Sequence, residues 1–158
     1  MYQKILVPLD GSELAECVLA HAESIARGCG VKSVTFVRVV EPVHPPMGGG
    51  DEGYSFSAED YKRMESESRA EAERYLNELV SQVKYDGVII KSEVLGGGRA
   101  ADMIADYATE KEVDLIIIAT HGRSGISRWV WGSVADRILR SACVPVLMVR
   151  APGCVHGI

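Results

Sequence analysis

Apolar positions follow two different periods along the chain. Five short runs are rich in Val, Ile and Leu, as is typical of strands that are buried on both faces. Between them lie longer segments whose apolar residues recur at helical spacing. This alternation predicts an α/β fold, with a mostly parallel sheet that is covered by helices on both faces. The predicted strands cover residues 4–9, 33–40, 88–94, 114–119 and 144–149.

Four helices are predicted between these strands. The first begins after Asp10 and Gly11, with Ser12 as its N-cap, and ends at Gly28 and Gly30. The second covers residues 58–83, the third covers residues 99–111, and the fourth starts near residue 132.

The length of 158 residues fits a single domain, predicted over residues 1–150 and followed by a tail at 151–158. Residues 42–57 are rich in Pro and Gly and predict a flexible loop. Because this loop leaves the carboxyl end of the second strand, it is either a lid over a ligand or an insertion without a role.

Composition excludes several classes of protein. No apolar run approaches the length of about 20 residues that a membrane span needs. The first residues lack the features of a signal peptide, so we expect a cytoplasmic protein without a membrane association. The four cysteines form no CxxC pair, which predicts reduced thiols rather than a zinc site. A net charge of −5 argues against nucleic-acid binding.

Charge is distributed unevenly along the chain. Residues 119–150 contain five arginines and one aspartate, a net charge of +4, which leaves −9 for the remaining residues. A local positive field in an acidic protein suits a small anion better than a long polyanion.

The most specific motif follows the fourth predicted strand. Gly122 is followed by nine residues and then by Gly132 and Ser133, which open a helix. The first amides of a helix have no intrahelical partners and carry the positive end of its dipole, so they favour phosphate. The Ser133 hydroxyl adds a donor. The alternative interpretation is a set of ordinary loop glycines before an ordinary helix start.

Asp10 lies at the end of the first predicted strand, and the sequence allows two interpretations of its role. It is either a hydrogen-bond partner for a ribose or an adenine, or a turn residue ahead of Ser12. The standard nucleotide signatures GxxxxGK[ST] and GxGxxG are absent from the sequence.

Five motifs occur in an order that is shared with a known family. They are VPLDGS at residues 7–12, GRAADMI at 98–104, ATHGRSG at 119–125, GSV at 132–134 and VPVLMVR at 144–150. In these motifs the chain resembles the universal stress proteins over nearly its whole length. The resemblance implies a five-stranded parallel sheet in the order 3-2-1-4-5, a homodimer, and an ATP pocket between the ends of strands one and four.

Nucleotide-binding members of that family carry Gly-x-x-Gly, nine residues, and Gly-Ser/Thr. Matching this pattern residue by residue implies two groups of binding residues. The adenosine side comprises Pro8, Leu9, Asp10, Val39 and Ile118, and the phosphate side comprises Ala119, Gly122, Gly132, Ser133 and Val134. Arg123 and Arg128 are candidates for reaching the terminal phosphate. Ala119 replaces the first glycine, and its methyl group is expected to reduce affinity while still fitting.

Three function classes follow. The preferred one is a dimeric regulatory protein that binds ATP, ADP or AMP, with Mg²⁺ or Mn²⁺ held through the phosphates. The second is a slow ATPase or a phosphoryl- or adenylyl-transfer enzyme at the same site, for which the motif offers His121 but no positioned carboxylate. The third is a dimerisation module without a nucleotide. The dimer is expected to form through the edge strand at residues 144–149, and the protein partners are not identified by the sequence.

Overall fold

The computed structural model describes residues 1–43, 57–120 and 133–150. These residues form one parallel sheet in the order β3-β2-β1-β4-β5, which confirms the predicted α/β fold and strand order. The strands are β1 (Lys4–Pro8), β2 (Ser33–Val40), β3 (Ile89–Gly96), β4 (Leu115–Ala119) and β5 (Val146–Val149). The helices are α1 (Leu19–Cys29), α2 (Ala58–Gln82), α3 (Ala100–Glu110) and α4 (Ser133–Ser141).

Each face of the sheet is covered by a separate hydrophobic cluster. On one face Phe36 packs with Leu76 of α2, and on the other Val37 packs with Ile104 of α3 and Ile138 of α4. Neighbouring residues of β2 therefore enter opposite clusters, as side chains of a strand must. This two-sided burial explains why the strands in the centre of the sheet read as continuous apolar runs.

The first helix begins later than predicted. A short 3-10 turn at Ala15–Val18 precedes α1, which starts at Leu19. The Ser12 hydroxyl accepts a hydrogen bond from the backbone N–H of Ala15 at 3.2 Å, so Ser12 caps this turn and not α1 itself. The end of α1 is as predicted, because Gly30 takes the left-handed conformation with φ +63°.

Helix α2 begins with a capping box. The Ser57 hydroxyl accepts from the N–H of Asp60, while the Asp60 carboxylate accepts from the Ser57 N–H. The helix extends for 25 residues, and its residues 62–71 are all exposed. Residues 44–56 lie outside the described residues, so the two interpretations of the 42–57 loop stay open. None of the helices described is long and apolar enough to span a bilayer.

Candidate functional site

A cavity of about 490 Å³ lies at the carboxyl edge of the sheet. The strand order reverses between β1 and β4, and open α/β sheets bind ligands at this point, where the flanking connections diverge. Volumes of roughly 300–1,000 Å³ are typical of small-molecule sites. The structure brings eight of the eleven predicted binding residues to the lining of this cavity: Pro8, Leu9, Asp10, Val39, Ile118, Ala119, Ser133 and Val134.

The remaining three predicted residues lie outside the described part of the chain. They are Gly122, Arg123 and Gly132, and residues 121–132 as a whole are not described. His121 and Arg128 belong to the same segment, so their expected roles remain predictions.

The walls of the cavity are largely apolar. Leu9, Ile118 and Ala119 are each less than a tenth exposed, and they come from the ends of β1 and β4. Ile104 of α3 and Ala135 of α4 close the wall on the side of the second hydrophobic cluster. This apolar part of the wall is suited to a flat organic ring, and the polar and charged residues of the lining lie around it.

Helix α4 begins at Ser133, directly against the cavity. The backbone N–H groups of the first turn have no intrahelical acceptors, and the helix dipole is positive at this end. Val134, in the same turn, is about one-third exposed and also lines the cavity. This end of the cavity therefore offers an anion both a hydroxyl donor and backbone donors.

Asp10 forms the turn that follows β1. One of its carboxylate oxygens accepts hydrogen bonds from the Ser12 N–H at 2.9 Å and from the Ser12 hydroxyl at 2.6 Å. The turn interpretation is thus correct, and Asp10 nevertheless lines the cavity. Asp10 is therefore both a turn residue and part of the cavity lining.

Arg38 is a cavity residue that sequence reasoning missed. It lies in β2, its side chain is 11% exposed, and its Nη2 donates to the Glu71 carboxylate of α2 at 3.2 Å. The guanidinium carbon lies 5.5 Å from the centre of the Tyr75 ring, within the range of a cation–π contact. A signal existed in the sequence, since Arg38 is the one charged residue in the run SVTFVRVV.

Tyr75 connects α2 to the turn before α1. Its hydroxyl donates to the Glu16 carboxylate at 2.9 Å. Burial raises the pKa of Tyr75 well above its usual value, and the hydrogen bond to Glu16 and the negative charges of Glu16 and Asp10 raise it further. Tyr75 is therefore a neutral donor at physiological pH. Its hydrogen bond to Glu16 holds in place the aromatic ring that Arg38 contacts.

A second, smaller cavity of about 200 Å³ adjoins the first on the Ser133 side. Arg99 and Arg137 line it, and the Glu41 carboxylate in its wall accepts the N–H of Ala100 at 2.7 Å. The described residues place no group of three or more His, Cys, Asp or Glu side chains where it could hold a metal ion.

The chain is thus a doubly wound α/β protein with a cavity at the point where the strand order reverses, which is where folds of this class bind ligands. Residues 1–150 match the model of the universal stress protein family, and the chain belongs to that family. A similar relative is universal stress protein MJ0531 of Methanocaldococcus jannaschii, 32% identical over 96% of this chain and 84% of the relative.

Solved structures share the fold. Protein MJ0577 of the same organism superimposes with a TM-score of 0.80 at 24% identity, over 97% of this chain and 99% of its own. A universal stress protein in complex with cAMP has a TM-score of 0.63 at 22% identity, over 95% and 98% of the two chains. A family member from Arabidopsis thaliana with AMP bound has a TM-score of 0.63 at 16% identity, over 96% and 93%.

Proposed function

We propose that this protein binds an adenine nucleotide in the cavity at the carboxyl edge of the sheet and acts as a regulatory binding protein. The observation that carries the proposal is the convergence of Asp10, Ala119 and Ser133, from three separate parts of the chain, on one apolar cavity. These residues belong to the motifs from which the sequence predicts a nucleotide site.

The polarity of the cavity supports a direction for the nucleotide. The adenine would pack against the apolar surface of Leu9, Val39 and Ile118. The phosphates would accept hydrogen bonds at the start of α4, at Ser133. ATP, ADP and AMP all satisfy this arrangement, and Mg²⁺ or Mn²⁺ would be held through their phosphates. The fold relatives with bound cAMP and AMP support the adenine nucleotide class.

Calorimetry with ATP and adenosine tests this proposal. Ser133→Ala is expected to weaken ATP binding by about ten- to a hundred-fold, the effect of one hydrogen bond to a charged group, and to leave adenosine binding unchanged. Ser141→Ala is the matched control, because Ser141 lies at the far end of the same helix and its hydroxyl donates to the Arg137 carbonyl. Failure of the unmodified protein to bind or co-purify with any nucleotide would contradict the proposal.

A single-turnover assay separates binding from catalysis. We expect saturating protein with Mg²⁺ and labelled ATP to leave the ATP intact over seconds, because holding phosphates at rest does not by itself stabilise their transfer. Cleavage within seconds that is lost in His121→Ala would assign the site to an enzyme instead.

We further propose a homodimer that forms through β5. The two edges of the sheet differ, since β3 exposes the charged side chains of Lys91 and Glu93, which discourage edge pairing. Strand β5 contains only apolar residues, and Val146 and Met148 are half-buried. Light scattering at micromolar concentration is expected to give the dimer mass, and a monomer mass would overturn this part of the proposal.

A further inference from the structure

Arg38 has hydrogen-bond donors that face the cavity. A guanidinium carries five N–H donors, and in the described structure one hydrogen bond is made, from Nη2 to Glu71. Every fully buried side-chain nitrogen or oxygen among the described residues has a hydrogen-bond partner. The Arg38 nitrogens that make no hydrogen bond are therefore not fully buried, and they are accessible from open space. Because the side chain is 11% exposed and lines the cavity, that open space is the cavity.

The position of this guanidinium is fixed on three sides. Glu71 binds it from α2, the Tyr75 ring lies against it, and the chain at Gly11 passes directly over it. A Cβ built on Gly11 would come within 2.9 Å of Arg38 Nη1 and would displace the guanidinium, and the φ of +84° at Gly11 itself favours glycine. Arg38 is therefore held beside the turn that contains Asp10.

The charges around Arg38 differ from those at the phosphate end. Glu71 pairs with Arg38, and the negative charges of Glu16 and Asp10 act on the Tyr75 ring that Arg38 contacts, so three carboxylates surround this part of the site against the one positive charge of Arg38. A phosphate placed among them would be repelled, whereas a neutral acceptor would be favoured. Arg99 and Arg137 lie instead beside Ser133, at the other end of the lining.

We propose that Arg38 is a specificity-determining residue that donates hydrogen bonds to the neutral, nucleoside part of the bound nucleotide, at a ring nitrogen or a ribose oxygen. Glu71 and Tyr75 are positioning residues that hold the guanidinium for this contact. This inference rests on the proposed nucleotide binding. It adds that β2, through Arg38, recognises the nucleoside part of the ligand.

Adenosine and ATP distinguish the two ends of the site. Arg38→Met keeps the length of the side chain and removes its donors, and it is expected to weaken both ligands by the same factor of about ten- to a hundred-fold. Ser133→Ala is expected to weaken ATP alone. Arg69→Met is the matched control, since Arg69 lies on α2, is 54% exposed and pairs with Glu73, and it should bind both ligands like the unmodified protein.

Two results with Arg38→Met would overturn the inference. Equal adenosine binding by Arg38→Met and the unmodified protein removes the contact, and a loss of ATP binding alone assigns Arg38 to the phosphates. If the unmodified protein binds neither ligand, the proposed function itself fails. Should Arg38→Met not fold by circular dichroism, Glu71→Ala replaces it, because alanine has no acceptor for the guanidinium. Loss of the anchor is expected to weaken both ligands about three- to tenfold, and no change would refute the inference.

Discussion

The amino and carboxyl ends of the parallel strands, called here the amino edge and the carboxyl edge, carry similar polar groups with different roles. At the amino edge, the Asp114 carboxylate accepts the backbone N–H groups of Gln3 and Lys4, each at 2.8 Å, and the Lys4 ammonium donates to the Lys111 carbonyl at 2.9 Å. At the carboxyl edge, Arg38 and Ser133, the first residue of α4, line the cavity.

This difference separates groups that stabilise the fold from groups that are available to a ligand. A carboxylate that accepts two backbone N–H groups ties those parts of the chain together, so its removal costs stability. A donor that opens into a cavity gains its partner only when a ligand binds. Substitutions at the amino edge should therefore change the free energy of unfolding, and substitutions at the carboxyl edge should change affinity.

The largest effect is expected from Gly132→Val. Gly132 directly precedes Ser133 in the chain, and a branched side chain there would compete with phosphate for the space at the start of α4. ATP affinity is expected to fall by more than about a hundred-fold, which corresponds to roughly 2.7 kcal/mol. Calorimetry measures the affinity, and a thermal melt that matches the unmodified protein is the control. Unchanged ATP affinity would place the phosphate site elsewhere.

Asp114→Ala tests the opposite edge. Removing the carboxylate leaves the N–H groups of Gln3 and Lys4 without their acceptor, and we expect the free energy of unfolding in urea to fall by about 2 kcal/mol. ATP affinity should not change. Asp86→Ala, at a site whose side chain is 92% exposed, is the control and should alter stability by less than about 0.5 kcal/mol. A loss of ATP affinity in Asp114→Ala would break the separation of the two edges.

The stabilisation by Asp114 should also depend on pH. The hydrogen bonds from Gln3 and Lys4 favour the carboxylate and hold the pKa of Asp114 below its ordinary value of 3.8. A lowered pKa in the folded state means that the contribution is complete above the unfolded value and is lost as pH falls through the folded one. The stability difference between Asp114→Ala and the unmodified protein should be constant near neutral pH and shrink below about pH 4. A constant difference down to pH 2 would refute the assignment.

The sequence predicts the location of the cavity better than its complete lining. The continuous apolar runs of β1 and β4 indicate central strands, and the residues that follow them must meet at one edge of a parallel sheet. Asp10 and Ser133 could be found in this way, because each adjoins a strand or helix end. The strand order alone is enough to predict that these two residues lie near each other.

Arg38 could not be assigned by the same reasoning. Its role depends on Glu71, which lies 33 residues further along the chain, and on the register with which α2 packs over β2. The predicted start of α1 was also inexact, because the segment that Ser12 caps opens as a 3-10 turn at Ala15–Val18 before the α-helix begins. Both cases involve side-chain contacts that neither periodicity nor motif spacing encodes.

The smallest effect is expected at Ala119, where the chain departs from the glycine of the family motif. Ala119 is the last residue of β4, is 8% exposed and lines the cavity, so in the proposed complex its methyl group would lie between the backbone and the ligand. Ala119→Gly should tighten ATP binding by about two- to fivefold, which corresponds to roughly 0.4–1 kcal/mol. The same change should lower the free energy of unfolding by about 0.5–1 kcal/mol, because glycine loses more backbone entropy on folding. Calorimetry measures the affinity and urea unfolding measures the stability of the same preparation. Ala108→Gly is the stability control, because Ala108 lies in α3 and outside the cavity lining. Weaker ATP binding in Ala119→Gly would show that the methyl group contacts the ligand favourably, and the expectation of reduced affinity from the departure would then be wrong.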